Sequence, residues 1–206
     1  MEPVADGRAS GAPTQVNARA RRRGQRRDRV FDAAVALFVE QGYEATTMDE
    51  IALRADVART SVFNYFDRKS TFLDEWSARR RARAFHAARP AVGSSLREEL
   101  ADILRELAAI SVSSRKETTA LIGASVRELD LLDNHPLTHE FIAVLERHAH
   151  ATRPGVDPIL VGTTLAMGYF AVLRAWIGTG PPPFDLERRF LGLLDLLLYG
   201  TANANA

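Results

Sequence analysis

Residues 47–66 read TMDEIALRADVARTSVFNYF. Two short amphipathic segments flank Asp56-Val57. An isolated helix of fewer than about 12 residues does not repay its nucleation cost in water. Each segment must therefore lean on the other and on a further element, which commits this part of the chain to packed helices. Thr47-Met48-Asp49-Glu50 opens the first segment with the hydroxyl and the carboxylate spaced as a capping box, ahead of Ile51. The second spans about 58–65 and has no Asp or Glu between 58 and 66.

The same helical period runs through the rest of the chain, and no strand-like alternation lasts beyond a few residues. A first helix is expected from about 19 to 41, with Phe31, Ala34 and Phe38 on one face. Gly42 ends it as a left-handed cap, and Tyr43 folds back. Asp67 is expected to cap a fourth helix carrying Phe72, Leu73 and Trp76, which Pro90 stops. Ser95-Leu96-Arg97-Glu98 repeats the capping-box spacing. Further helices are expected near 116–132, after Asn134-His135-Pro136, after Asp157-Pro158, and around Leu186 to Leu197 with Gly200 as its stop. The fold class is all-α, with about nine helices and short connections.

Charge is unevenly spread. Residues 1–29 hold eight arginines against three acids, although the 206-residue chain has a net charge of only +1. A basic arm on a mildly acidic body points to an anionic polymer or surface as partner. The chain has no cysteine, which removes disulfides, thiol nucleophiles and Cys-based zinc sites and is compatible with a reducing cytoplasm. Residues 1–18 lack periodicity, contain no secretory-type apolar run and are expected to be disordered, as is the tail 201–206. The segment 159–178 is apolar enough to resemble a membrane span, but it contains Arg174 and Thr163-Thr164. It is read as a buried or subunit-interface helix, with no membrane partner.

A helix, a short turn and a second helix form the unit that sets one helix into the DNA major groove. Ile51, Ala52, Ala55, Val57 and Val62 can form the seam, which leaves Arg59, Thr60, Ser61 and Asn64 outward. Arginine suits guanine acceptors, asparagine suits adenine, and hydroxyls suit bases or phosphates. Lys69 lies where a fourth helix begins, a position its charge disfavours unless an anion approaches. The run from Arg27 to Trp76, with its GY, TT, IA, F-x-Y-F and K in order, resembles the DNA-binding domain of the tetracycline-repressor (TetR) family over about 24–84. The resemblance implies a homodimer that binds double-stranded operator DNA and commonly responds to a small-molecule effector, with no cofactor. It also implies a helix-turn-helix domain over 19–84, basic arm included, and an effector-binding and dimerisation domain over 85–200. Carried across by position, Thr46 and Thr47 match phosphate-contact and cap positions. Arg59, Thr60, Ser61, Phe63 and Asn64 match the recognition helix, and Tyr65 and Lys69 match phosphate contacts. The turn reads Asp56-Val57-Ala58 where the family commonly has Gly-Val-Ser, and Phe63 replaces a common tyrosine. Ala58 cannot cap, which costs about 1 kcal/mol relative to serine. Arg22, Arg23 and Arg26 are expected to cross a phosphate rail or enter the minor groove.

Within the C-terminal domain the expected dimer face comprises Leu165, Tyr169, Val172 and Trp176 on one helix with Phe190, Leu194 and Leu197 on the last. The expected pocket residues are Phe85, Leu104, Arg127, Phe141, Met167 and Phe170, which favour a hydrophobic or aromatic ligand. His135 and His139 have the i,i+4 spacing of a metal pair, but Pro136 puts His135 at the helix start and no Glu-x-x-His follows, so no metal site is expected. No Gly-x-Ser-x-Gly turn or Gly-rich phosphate loop occurs, and the chain is not expected to be an enzyme. A DNA-binding regulator without a small-molecule effector stays open as the alternative, and a helical-bundle enzyme is the remote one.

Overall fold

The computed structural model describes residues 12–89, 91–128, 135–178 and 180–200. Among these residues there are nine α-helices, one short 3-10 turn and no strand. The helices are α1 (Ala12–Gln41), α2 (Met48–Arg54), α3 (Arg59–Phe63), α4 (Ser70–Ala87), α5 (Leu96–Ser113), α6 (Arg115–Glu128), α7 (Pro136–Arg147), α8 (Pro158–Trp176) and α9 (Leu186–Tyr199). They group into two units divided between Lys69 and Ser70, so α4 belongs with the C-terminal helices although the sequence reading drew its boundary after 84.

In the N-terminal unit, Val30, Ala34 and Phe38 of α1 are fully buried together with Ile51 of α2, Val62 of α3 and Phe66 beyond it. Phe31 and Phe66 rings lie 6.4 Å apart, and Phe38 meets Tyr43 at 5.1 Å. Gly42 has φ +92, and its N–H bonds the Phe38 carbonyl at 3.1 Å, which ends α1 as expected. The tight turn between α2 and α3 needs one left-handed residue. Asp56 supplies it at φ +52, the only non-glycine in that region among the described residues.

The N-terminal boundary of α1 corrects the disorder expected for 12–18. Alanine, glutamine and arginine between 12 and 27 are strong helix formers. Pro13 sits in the first turn, where its missing N–H costs nothing. The expectations for residues 1–11 and 201–206 fall outside the described residues. Similarly, α4 opens at Ser70 and not at Asp67.

In the C-terminal unit α5 is central, packing on α4, α6, α7 and α9. It buries Leu100, Ile103, Leu104, Leu107 and Ile110 along its length. The apolar α8 owes its composition to burial between α7 and α9, with Leu165, Ala166, Tyr169, Phe170, Leu173 and Trp176 all in the core. Gly162 lets α8 approach α7 closely, since a Cβ there would lie 2.6 Å from Ile142 Cγ1 and 3.1 Å from its backbone nitrogen. Across α5 and α7, the buried Glu99 carboxylate accepts from Arg147 and meets His148 Nε2 at 2.7 Å.

Candidate nucleic-acid interface and an interior cavity

The helix-turn-helix geometry follows from its caps. Thr47 Oγ1 accepts the Glu50 N–H at 3.2 Å, and the Glu50 carboxylate accepts the Thr47 N–H at 2.8 Å, so α2 begins with a complete capping box. Arg54 at the other end of α2 reaches Glu40 of α1 at 3.0 Å. Ala58 makes no side-chain cap, as expected, and α3 is held by Val62 and Phe66, both fully buried. With those two inward, Arg59, Thr60, Phe63 and Asn64 are exposed, and Ser61 and Tyr65 are half-buried. The polar residues therefore share one outward surface.

Arg59 is not idle on that surface. Its Nε pairs with Asp49 of α2 at 2.9 Å, and its guanidinium lies 5.5 Å from the Phe63 ring centroid. Asp49 was not singled out from the sequence. It lies in the first turn of α2, and only packing of α2 on α3 shows that the two meet. Both side chains are about two-thirds exposed, at 66% and 63%, so the pair is weak and readily exchanged.

Two expected phosphate contacts are placed otherwise. Thr46 is 1% exposed, and its hydroxyl donates to the Gly42 carbonyl at 2.8 Å. The Lys69 ammonium donates to the carbonyls of Tyr43, Glu44 and Thr46 at 2.8, 3.2 and 3.2 Å and lies 4.4 Å from the Tyr43 ring centroid. Three carbonyls thus offset the charge of Lys69, which clasps the loop between α1 and α2. Thr47 is exposed, but its hydroxyl is engaged in the cap.

Arg22, Arg23 and Arg26 are exposed on α1. Positions 19, 23 and 26 continue the stripe that becomes Val30, Ala33 and Leu37 further on, so the core-side face of α1 turns from apolar to arginine where the helix outruns the core. Arg27 marks the transition, 4.9 Å from the Phe66 ring centroid. These arginines are therefore carried on a helix and not on an extended arm. A helix of about 10–12 Å diameter does not fit a groove about 6 Å wide.

The expected pocket residues take different places in the unit. Leu104 and Phe141 are fully buried in the core, and the tilted Phe85 and Phe141 rings lie 6.5 Å apart. Met167 is exposed, and the Arg127 side chain lies outside the described residues. Phe170 lines a cavity of the C-terminal unit, together with Trp76, Ser77, Arg80, Arg81, Leu107, Ile122, His135, Leu137 and Tyr169. Its volume is ≈ 20 Å³, about the room that one water needs. Arg80 was overlooked in the sequence, yet it occupies the apolar stripe Leu73, Trp76, Arg80, Ala84 and is buried with it.

The expected dimer face is also corrected. Leu165, Tyr169, Trp176, Phe190 and Leu194 are buried inside their own chain, while Val172 and Leu197 are half-buried. The exposed stripes of the same two helices are Leu160, Thr164, Met167 and Ala171 on α8 and Gly192, Leu196 and Tyr199 on α9.

Comparison with known proteins agrees with this architecture. A family model described as bacterial regulatory proteins, tetR family, matches residues 30–75. The chain is 35% identical over 49 residues to IcaR, the negative transcriptional regulator of the biofilm operon icaADBC of Staphylococcus aureus, a match that covers 24% of this chain and only 26% of that protein. It is 29% identical over 175 residues to the transcriptional repressor KstR2 of Rhodococcus jostii, covering 82% of this chain and 75% of the relative. Its fold matches that of the Thermus thermophilus repressor FadR, solved with lauroyl-CoA, at a TM-score of 0.68 and 27% identity over 87% of this chain and 97% of that one. Residues 30–75 thus form a DNA-binding domain of the TetR family, and the chain carries the architecture of a TetR-family transcriptional regulator.

Proposed function

We propose that the chain acts as a homodimeric repressor that binds a near-palindromic operator and is released from it by a small amphipathic ligand. The observation that carries the reading is the outward polar surface of α3, with Arg59, Thr60, Ser61 and Asn64 turned away from Val62 and Phe66. In DNA, Arg59 exchanges Asp49 for a base or phosphate acceptor, and Asn64 reads an adenine edge. The arginines of α1 add sequence-independent phosphate contacts.

Two heads separated by one helical turn, about 34–36 Å, would meet successive major grooves. The exposed apolar stripes of α8 and α9 are the best-suited surface for joining two copies. Small residues there, Ala171 and Gly192, permit close helix approach. A ligand that binds better to a dimer with differently spaced heads lowers operator affinity by linkage, without covalent chemistry. The lauroyl-CoA bound to the similar FadR structure makes acyl compounds the first ligands to test.

The test is selection of bound sites from random duplex DNA with purified protein, repeated with Arg59→Ala and Asn64→Ala. The wild type should enrich one inverted repeat, and each variant should relax preference at a symmetric pair of positions by about 1–3 kcal/mol. Enrichment of no motif by the wild type would overturn the proposal.

A further inference from the structure

Arg80 is 7% exposed, yet among the described residues no carboxylate forms an ion pair with it. Its guanidinium instead donates to neutral hydroxyls: Ser111 at 2.7 Å, Ser114 at 3.0 Å and Thr118 at 3.3 Å, with the Tyr169 phenol as a further partner. It also stacks 4.4 Å from the Trp76 ring centroid. Buried charges are ordinarily paired, because neutral acceptors do not return the solvation that an ion loses. The nearby acid, Glu117, accepts from the Trp76 indole at 3.5 Å and exerts only a more distant attraction on Arg80. Burial pushes the Tyr169 phenol up, although Arg80 opposes this, so no phenolate forms at neutral pH to balance the charge.

The cavity beside Arg80 has the same bias. None of its lining residues is acidic, and Arg81 lines it as a second cation. His135 presents a donor as well. Its Nδ1 accepts the Leu137 N–H at 3.1 Å, which leaves the proton on Nε2. Burial first, then the charges of Arg81 and His139, hold its pKa down to about 4, so the ring is neutral at physiological pH. The remainder of the wall is apolar, including Leu107, Ile122 and Phe170. A cationic, donor-rich end facing an apolar wall matches an amphipathic acid.

We infer that Arg80 is the head-group site for a carboxylate carried on an apolar skeleton, with Arg81 assisting and the apolar wall of the cavity taking the tail. The inference rests on the ligand-responsive reading and narrows it. A carboxylate, being planar, suits bidentate pairing with a guanidinium. The space present, ≈ 20 Å³, is about that of one water, so head and tail alike must part the helices that line the cavity. That parting is the change a ligand needs in order to influence the heads.

The test measures calorimetric binding of octanoate, 1-octanol and octyl phosphate to the full chain. Operator release is followed in parallel by fluorescence anisotropy. Octanoate should bind at least about tenfold more tightly than octanol, and Arg80→Gln should abolish that preference while leaving octanol unchanged. Equal binding of acid and alcohol to the wild type overturns the inference even if Arg80→Gln fails to fold. A preference that survives in a folded Arg80→Gln does so too, and tighter binding of octyl phosphate than octanoate overturns the choice of carboxylate. If octanol alone releases the operator, the head-group site falls while the ligand-released repressor stands. If octanoate binds through Arg80 and the operator stays bound, the site stands and the release mechanism falls.

Discussion

The arginines of α1 allow a quantitative test, because the helix fixes their spacing. Arg19, Arg22, Arg23 and Arg26 are all exposed. Arg19 and Arg26 are separated by seven residues, or about 10 Å along an α-helix at about 1.5 Å per residue. One DNA strand presents a phosphate about every 3.4 Å along the axis, so this stretch can face at most about three phosphates. Replacing all four arginines by glutamine should therefore flatten the log–log salt dependence of operator affinity by up to about 2.7 per head, at about 0.9 per contact. Between 50 and 200 mM salt, the affinity lost by the wild type should exceed that lost by the variant by about 40-fold per head. The two curves should converge near about 1 M salt, where counterion release no longer contributes. Glutamine matches arginine in helix propensity, so circular dichroism should show the same helix content. Salt curves of equal slope, with the variant displaced downward at every concentration, would refute phosphate contact by this helix.

Other consequences can be checked on the same protein. Gly162→Ala should lower thermal stability by about 1–3 kcal/mol, because its methyl meets Ile142 backbone as well as side chain, whereas Gly168→Ala meets only the movable Leu193 branch and should be near neutral. Scanning calorimetry showing equal unfolding temperatures for the two would refute this. Burial raises the Glu99 pKa, but the larger combined effect of His148 and Arg147 leaves it below 4.5. The stabilisation it provides is present above the unfolded-state value and lost as pH falls through the folded one. Glu99→Gln should thus cost about 1–3 kcal/mol at pH 7 in urea unfolding, with the gap closing below about pH 4. A gap that stays constant with pH would count against the carboxylate. Met167→Asp with Leu196→Asp should give a folded monomer in sedimentation, while Leu194→Ala should instead destabilise the chain by about 2–5 kcal/mol.

Local chemistry made the helix-turn-helix legible in the one-dimensional chain. The Thr47–Glu50 capping box, the Gly42 stop, the left-handed Asp56 and the uncapped Ala58 each depend on residues within a turn or two. Burial of Ile51 and Val62 then followed from their spacing, and with it the outward set on α3. The same reasoning misled for α1, where the lack of periodicity over 1–18 suggested disorder although the helix starts at Ala12, with Pro13 in its first turn. A proline in a first turn and a proline in a loop look alike until the helix end is known.

Folding alone decided what lies between elements. Helix α8 is apolar on nearly all sides, so its period could not distinguish the face that enters the core, with Leu165 and Tyr169, from the face left outside, with Leu160 and Met167. Met167 and Leu104 were both reasonable pocket linings by hydrophobicity, but one is outside and the other is sealed inside. Arg80 read as one of several arginines in 79–83 until helix packing buried it beneath three hydroxyls from α5, α6 and the junction between them. Lys69 likewise acquired its partners from a loop brought back across more than twenty residues. Caps, turns and helical stripes are contacts within about four residues and are written in the order of the chain. Which stripe is covered, and which charge is left without a counterion, depends on neighbours that only tertiary packing assigns.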